Sequence, residues 1–443
     1  MPRPRDRATL ERLVAAALAV QLIASLAGAV ALRTSTTAEP AAPLVRGRVA
    51  PSAALDRVRE NAVQDLLDAR ARALADHDRA AWLATVDPAD TSFVRRQAAL
   101  FDALSTVPAR DWSYRLDPAA APPANVDLDR IRGRGWWAPG VTLTYRMDGY
   151  DARPTAEPQR LTFVPRGGRW LLAADDDFAA AGRDTTRGLW DFGSVVAVRG
   201  ASCIVLGHPR SRAVMRQVAE TVDAAVPRVT AVWGAWAQRV VVLVPSSQTE
   251  LAGIVGGHGD YTQIAAVATA ELVDPETGYH PVGDRIVVNP PTFAKLGGVG
   301  RRVVLTHEVT HVATRAATGN ASPAWLVEGF ADYVGYLGVG LPYRVSASEL
   351  RDAVRRGRIP RALPSEQDYA GGNPDLAAVY EQGWTAVSLL VEQHGLAGLL
   401  RFYRAVGAAD LPTAVDDALA DLWGTDLATF TAQWRGDLTT RLR

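Results

Sequence analysis

One cysteine, Cys203, stands in a chain of 443 residues, and a lone cysteine excludes an intrachain disulfide. Residues 201–206 form an apolar run that reads as a buried strand, so a small apolar filler is the role expected of that thiol. Charge of one sign is lacking too. Lys and Arg number 48 against 48 Asp and Glu, and no basic run follows the N-terminus, which excludes the electrostatic footprint of a nucleic-acid binder. Lysine is scarce while Ala, Arg, Asp and Val abound, a composition typical of GC-rich bacterial genomes. After residue 32 no apolar stretch is long enough to span a bilayer.

What is present begins at the N-terminus. Residues 13–32 are apolar apart from Gln21, Ser25 and Gly28. As a helix they would reach about 30 Å, the thickness of the hydrocarbon core. Arg3, Arg5, Arg7 and Arg12 precede them, which places the N-terminus inside and the rest of the chain outside. The stretch is longer than a usual signal core, which favours an uncleaved single-pass anchor in the cell membrane. Ala29-Val30-Ala31 also fits a cleavage site, and cleavage would make the protein secreted. Residues 1–33 are therefore a signal anchor or signal peptide, and residues 34–52, rich in Thr, Pro and Ala, a linker.

An apolar fraction of 48% is ample for buried cores, and the length allows two to three domains. Residues 53–106 carry helical periodicity. Residues 110–176 switch to strand patterns, with 141–145 and 159–164 as examples and a hairpin at 165–168. Helices followed by an antiparallel sheet resemble the nuclear-transport-factor-like (cystatin-like) cone, giving an α+β domain over 53–190. Asp175, Asp176 and Asp177 end its last strand, and a solvated loop is expected there rather than a cation site. A second domain over 198–443 opens with a helix at 209–228. Strands follow at 239–245, 264–271 and 284–289, and then a mainly helical C-terminal part.

The chemistry lies in that second domain. His307-Glu308-Val309-Thr310-His311 is the HExxH pattern. On a helix, i and i+4 share a face, so both imidazoles reach one metal ion and Glu308 reaches a water beside it. A catalytic zinc usually takes three protein ligands. Further on, Ser322 is the expected N-cap and Pro323 the first residue of a helix. That helix would carry Glu328 and Asp332 at i, i+4, laid back by a tight connection at 319–321. Glu328 then completes the metal site, and Asp332 orients His307 from behind. His208, His258, His280 and His394 share no ligand spacing and are expected to be structural.

HEVTH followed by Trp325-Leu326-Val327-Glu328-Gly329-Phe330-Ala331-Asp332-Tyr333 resembles the gluzincin metallopeptidases, especially the aminopeptidase N-like branch. The resemblance covers roughly residues 200–443. It implies that His307, His311 and Glu328 bind zinc and that Glu308 is the general base. Val379-Tyr380-Glu381-Gln382-Gly383 is similar to the family's Tyr-x-x-Gly segment, which implies that Tyr380 stabilises the oxyanion. His311 and Glu328 are seventeen positions apart, slightly closer than in that branch. The branch's amine-binding Gly-x-Met-Glu-Asn segment is missing. In its place runs 264–271, an apolar strand suited to pairing with an extended peptide, with Glu271 a weak substitute for the amine-binding acid.

The expectation is thus an extracytoplasmic zinc peptidase acting on a peptide or protein substrate, its hydrolysis catalysed by Glu308 and Tyr380. Should Tyr380 not serve, Tyr369 or His394 would be the next oxyanion donors to test. The rival expectation is a non-catalytic, zinc-bearing, membrane-tethered scaffold. A cell-wall hydrolase acting on a non-peptide bond is a third.

Overall fold

Two aspartates set the start of the fold. Asp78 caps the helix Arg79–Leu83 by accepting from the Ala81 N–H, and Asp90 caps Thr91–Leu104 by accepting from Ser92 and Phe93. The computed structural model describes residues 32–34, 53–120, 126–256, 261–273, 280–319, 322–370, 372–409 and 411–443. It is a mixed α+β structure. The apolar stretch 13–32, apart from Leu32, lies outside the described residues, as does His258. Among the described residues no helix is long and apolar enough to cross a membrane.

Three helices, Ala53–Ala75 and the two capped by aspartate, precede an antiparallel sheet of β2 (Ala109–Asp117), β3 (Gly140–Met147) and β4 (Thr155–Arg160). The hairpin of β5 (Thr162–Arg166) and β6 (Arg169–Ala174) turns through Gly167 and Gly168. Both have positive φ, 54° and 78°, as a two-residue hairpin turn demands. Two features depart from the sequence pattern. The run 159–164 is not one strand: β4 and β5 belong to different sheets. A helix, Val126–Arg132, also forms where only strands were expected.

Of the three aspartates after β6, Asp176 is exposed as a solvated loop would have it, but Asp175 is buried and Asp177 half-buried, and all three are paired. Asp175 pairs with Arg187 at 2.9 Å, Asp176 with Arg96 at 3.3 Å and Asp177 with Arg132 at 2.6 Å. The arginines come from three separate segments, 12, 80 and 45 positions away, so no helical or strand spacing could announce the pairs.

A six-stranded sheet follows, in the order β1–β10–β11–β9–β8–β7. Its strands are β1 (Leu32–Thr34), β7 (Val196–Arg199), β8 (Cys203–Gly207), β9 (Val240–Val244), β10 (Ala266–Val273) and β11 (His280–Val288). The helix Arg212–Trp233 carries the chain from β8 to its parallel neighbour β9. It runs five residues beyond the expected end and passes through Pro227. Burial of Val222, Val226 and Val229 along its face outweighs the cost of a proline inside a helix, about 3 kcal/mol. Cys203 is fully buried in β8; burial pushes its thiol up to about 12, consistent with an inert filler.

Every residue of β9 is buried, so both faces of the sheet are covered. Alternation divides them. Val205, Val240, Val242 and Ile286 join a core with the helix Arg212–Trp233 and the helix that carries HExxH. Ile204, Val241, Leu243 and Val287 join a second core with Tyr145, Met147 and Trp190 of the preceding α+β unit. Tyr369 and Tyr380 belong to that same core. A buried ion pair crosses the seam as well: Asp151 of the β3–β4 loop receives both terminal nitrogens of Arg285 in β11, at 2.7 and 2.6 Å.

Candidate metal centre

The HExxH residues fall in the helix Gly298–Thr314, termed the motif helix. Val303, Val304, Leu305 and Val309 pack it into the first core. That leaves His307 and His311 stacked on another face. The next helix, Ala324–Tyr336, here the acid helix, lies against them. Gly335 permits the approach, since a Cβ there would sit 3.0 Å from the Val303 carbonyl oxygen. The acid helix starts one residue later than its sequence suggests. Pro323 is the N-cap, and the Ser322 hydroxyl instead accepts from the Gly319 N–H at 3.2 Å. Ser322 thus closes the connection between the helices rather than capping the second one.

Glu328 and Asp332 project from one face of the acid helix onto the histidines. Glu328 Oε2 lies 3.2 Å from His307 Nε2 and 3.4 Å from His311 Nε2. The two Nε2 atoms are 2.9 Å apart. Two imidazole nitrogens this close share either a proton or a metal ion. Ligand atoms placed tetrahedrally around zinc at its usual bond lengths would be separated by about 3.3 Å, close to all three spacings. His307, His311 and Glu328 form a group able to hold a metal ion. The donor set agrees, because neither oxygen of Glu328 makes a hydrogen bond despite full burial. A buried carboxylate without hydrogen bonds is costly unless a cation meets it.

The surroundings hold each ligand in place. His307 Nδ1 lies 2.7 Å from Asp332 Oδ1, so the proton on Nδ1 donates to the carboxylate and the Nε2 lone pair faces the cluster. Burial disfavours a charged His307 ring, but the Asp332 charge beside it prevails and holds its pKa well above the ordinary value. For Glu328, burial is outweighed by the neighbouring His311 and His307, which bring its pKa down to about 2. Glu308 behaves in the opposite way: burial raises its pKa, against the pull of the two histidines. Its Oε1 has no partner, while the backbone N–H of Ala268 in β10 bonds to the carboxylate.

Tyr380 enters from the first turns of the helix that begins at Leu376, termed the tyrosine helix; Gly395, at φ 69°, breaks the helical run Leu376–Ala408. Its ring centroid is 6.2 Å from that of His307, and its buried hydroxyl makes no hydrogen bond. Tyr369 packs edge-on against it, with centroids 5.0 Å apart at 87°, and its hydroxyl is also unpartnered. Burial, then the charge on Glu328, pushes both phenols well above their usual range. Both therefore remain proton donors.

All six residues singled out by sequence (His307, Glu308, His311, Glu328, Asp332 and Tyr380) come together. His394 does not: it stacks on Trp423 at 3.8 Å, fourteen positions beyond Tyr380 and about 21 Å further along the helix. Glu271 lies on β10, but its side chain and that of His280 are outside the described residues. His208 is structural, linking Ser194 and Glu250.

Two contributors escaped the sequence reading. One is the Ala268 peptide, a backbone group without a motif. The other is Arg315, 6% exposed, whose Nε donates to Asp284 at 2.9 Å and whose Nη2 donates to the Ala268 carbonyl at 3.3 Å. Arg315 stands seven positions after Glu308, hence on its face of the helix, and that spacing was the available signal. No family model matches the chain, and no curated protein matches it.

Proposed function

We propose that the protein is a zinc-dependent peptidase of gluzincin type. The observation that carries this reading is the convergence of three buried donor atoms, from His307, His311 and Glu328, with an unpartnered Glu308 oxygen and an unpartnered phenol beside them. Zinc held by those three residues would supply Lewis acidity, polarising a carbonyl and acidifying a neighbouring water. Glu308 takes the water's proton on its free oxygen and passes it to the leaving amine; its raised pKa suits it to both transfers. The Tyr380 hydroxyl donates to the carbonyl oxygen as negative charge grows there. Asp332 keeps His307 in the tautomer that presents Nε2. A peptide is the substrate that this chemistry suits, but it does not add to β10 at Ala268 as a new strand: β10 lies between β1 and β11, and the Ala268 N–H and carbonyl are already taken by Glu308 and Arg315. The missing amine-binding segment argues against strict aminopeptidase specificity. The extracytoplasmic location is part of the proposal and rests on Arg3, Arg5, Arg7 and Arg12 before the apolar stretch.

One observation favours the scaffold reading. Every cluster member is nearly inaccessible, with Tyr380 at 0%, Glu308 at 1% and His311 at 5% exposure, as befits a structural metal. Digestion of a proteome-derived peptide library by the purified protein separates the two readings. Cleavage that is lost in Glu308→Gln and on chelation supports the peptidase. Intact peptides with a fully metal-loaded protein support the scaffold.

A further inference from the structure

β9 and β11 pair only at Val242–Ile286 and Leu243–Val287. Below that pairing a pocket of about 440 Å³ opens at the seam between the α+β unit and the sheet. Its walls are the loop 150–153, the segment 233–239 that follows the crossover helix, and the end of the motif helix at 312–317. None of His307, Glu308, His311, Glu328, Asp332 and Tyr380 lines it; Arg315 is shared between its wall and the Ala268 peptide beside the cluster. The volume falls within the usual range for small-molecule sites, roughly 300–1,000 Å³.

Charge decides what it suits. Three guanidiniums line the pocket, Arg153, Arg239 and Arg315, against two carboxylates, Asp151 and Asp284. Both carboxylates are engaged already, Asp151 by Arg285 on both oxygens and Asp284 by Arg315. The guanidiniums have donors to spare. Arg315 is 6% exposed, yet its Nη1 makes no hydrogen bond among the described residues, Nε and Nη2 being taken by Asp284 and Ala268. Arg153 and Arg239 are exposed at the mouth, and among the described residues neither has a carboxylate within ion-pair distance. Trp236 adds an apolar wall, because its indole N–H is satisfied by Thr230 at 2.9 Å and the ring is left to face a ligand.

We propose that this pocket is a binding site for a small organic monocarboxylate with an apolar body. The head group meets Arg315 from within and Arg153 or Arg239 at the rim, and the body lies along Trp236. Asp151 is already paired with Arg285 and Asp284 with Arg315, so Arg153 and Arg239 are the charges left for the head group, and the two oxygens of a carboxylate suit two such guanidiniums. A free metabolite and the C-terminal residue of a peptide share this chemistry.

The test uses the full-length protein, with N-acetyl-L-phenylalanine as probe and its uncharged amide as control. Binding is followed by tryptophan fluorescence and by saturation-transfer NMR. Saturable binding of the acid, about tenfold tighter than the amide, is expected in the presence and absence of chelator. The exposed double variant Arg153→Ser/Arg239→Ser is expected to fold and to lose most of that preference. Trp236→Ala should weaken acid and amide alike. Acetyl-Ala-Ala-Phe assigns the source: tighter binding than the single residue indicates a peptide C-terminus, and equal or weaker binding a free metabolite. Failure of the acid to bind, equal binding of acid and amide, or a preference retained in the double variant overturns the proposal. So does binding that vanishes with chelator while ignoring the arginine variants, since that locates the carboxylate at the metal cluster.

Discussion

Gly329 and Gly383 face each other where the acid helix crosses the tyrosine helix, and a Cβ on Gly329 would collide with the Gly383 carbonyl oxygen. On the other side, a Cβ on Gly383 would sit 2.5 Å from Tyr369 Oη. Each glycine stands next to, or one turn from, a residue of the candidate site: Glu328 precedes Gly329, and Tyr380 lies three positions before Gly383. The crossing sets how near Glu328 and the two phenols can come. Gly383→Ala is therefore expected to destabilise the fold by roughly 1–3 kcal/mol and to lower metal retention, read from denaturant midpoints and metal content after dialysis. Unchanged values in both would show that the crossing has slack.

The protein should bind one metal ion per chain. A His311→Ala/Glu328→Ala double variant should lose it, and Asp332→Asn should weaken retention by about 10–100-fold by leaving the His307 tautomer unsupported. Metal analysis of purified variants is the measurement, and wild-type metal content in the double variant would refute the ligand assignment.

Acid should expel the metal. The folded, metal-free protein holds the His307 pKa well above its ordinary value, so protons compete with metal across the neutral range. Affinity should fall by about tenfold per pH unit for each proton that must be displaced. Once the metal has been removed, Glu328 has a separate effect. Its folded pKa of about 2 lies below the unfolded value, so its contribution to stability is present above about 4.5 and is lost as pH falls toward 2. Bound metal titrated from pH 8 to 4.5, and acid unfolding of the chelated protein, check the two parts separately.

On the proposed mechanism, Glu308→Gln should keep the metal and abolish hydrolysis, because there the Glu308 carboxylate moves a proton and does not bind the metal. Tyr380→Phe should keep both metal and fold and lower kcat by on the order of 10²–10³, with little change in KM. Steady-state kinetics on any peptide found by the library digest decide this. If Tyr380→Phe has wild-type turnover, Tyr369 becomes the donor to examine.

Asp151→Ala should cost about 3–5 kcal/mol, because it leaves the buried Arg285 charge without its carboxylate. Since the α+β unit and the sheet share a core, urea should unfold both in one transition. Two transitions, with the second unaffected by Asp151→Ala, would mark the seam as a loose docking.

The five residues from His307 to His311 determined a good deal by themselves. Helical periodicity alone puts two imidazoles on one face with Glu308 beside them, and the same rule pairs Glu328 with Asp332. The hairpin at Gly167-Gly168 and the buried apolar strands were equally local matters, settled by φ and by alternation. The start of the acid helix was misjudged by one residue, because Ser322 found a tertiary use in bonding Gly319. What only the folded chain decided is how the elements meet. Gly335, Gly329 and Gly383 set the crossings, three arginines from separate segments claimed the Asp175–Asp177 run, and Arg315 reached the Ala268 peptide that touches Glu308. Those contacts join residues 12 to 80 positions apart. Their energies come from burial and close approach between whole elements, which spacing along one element does not encode.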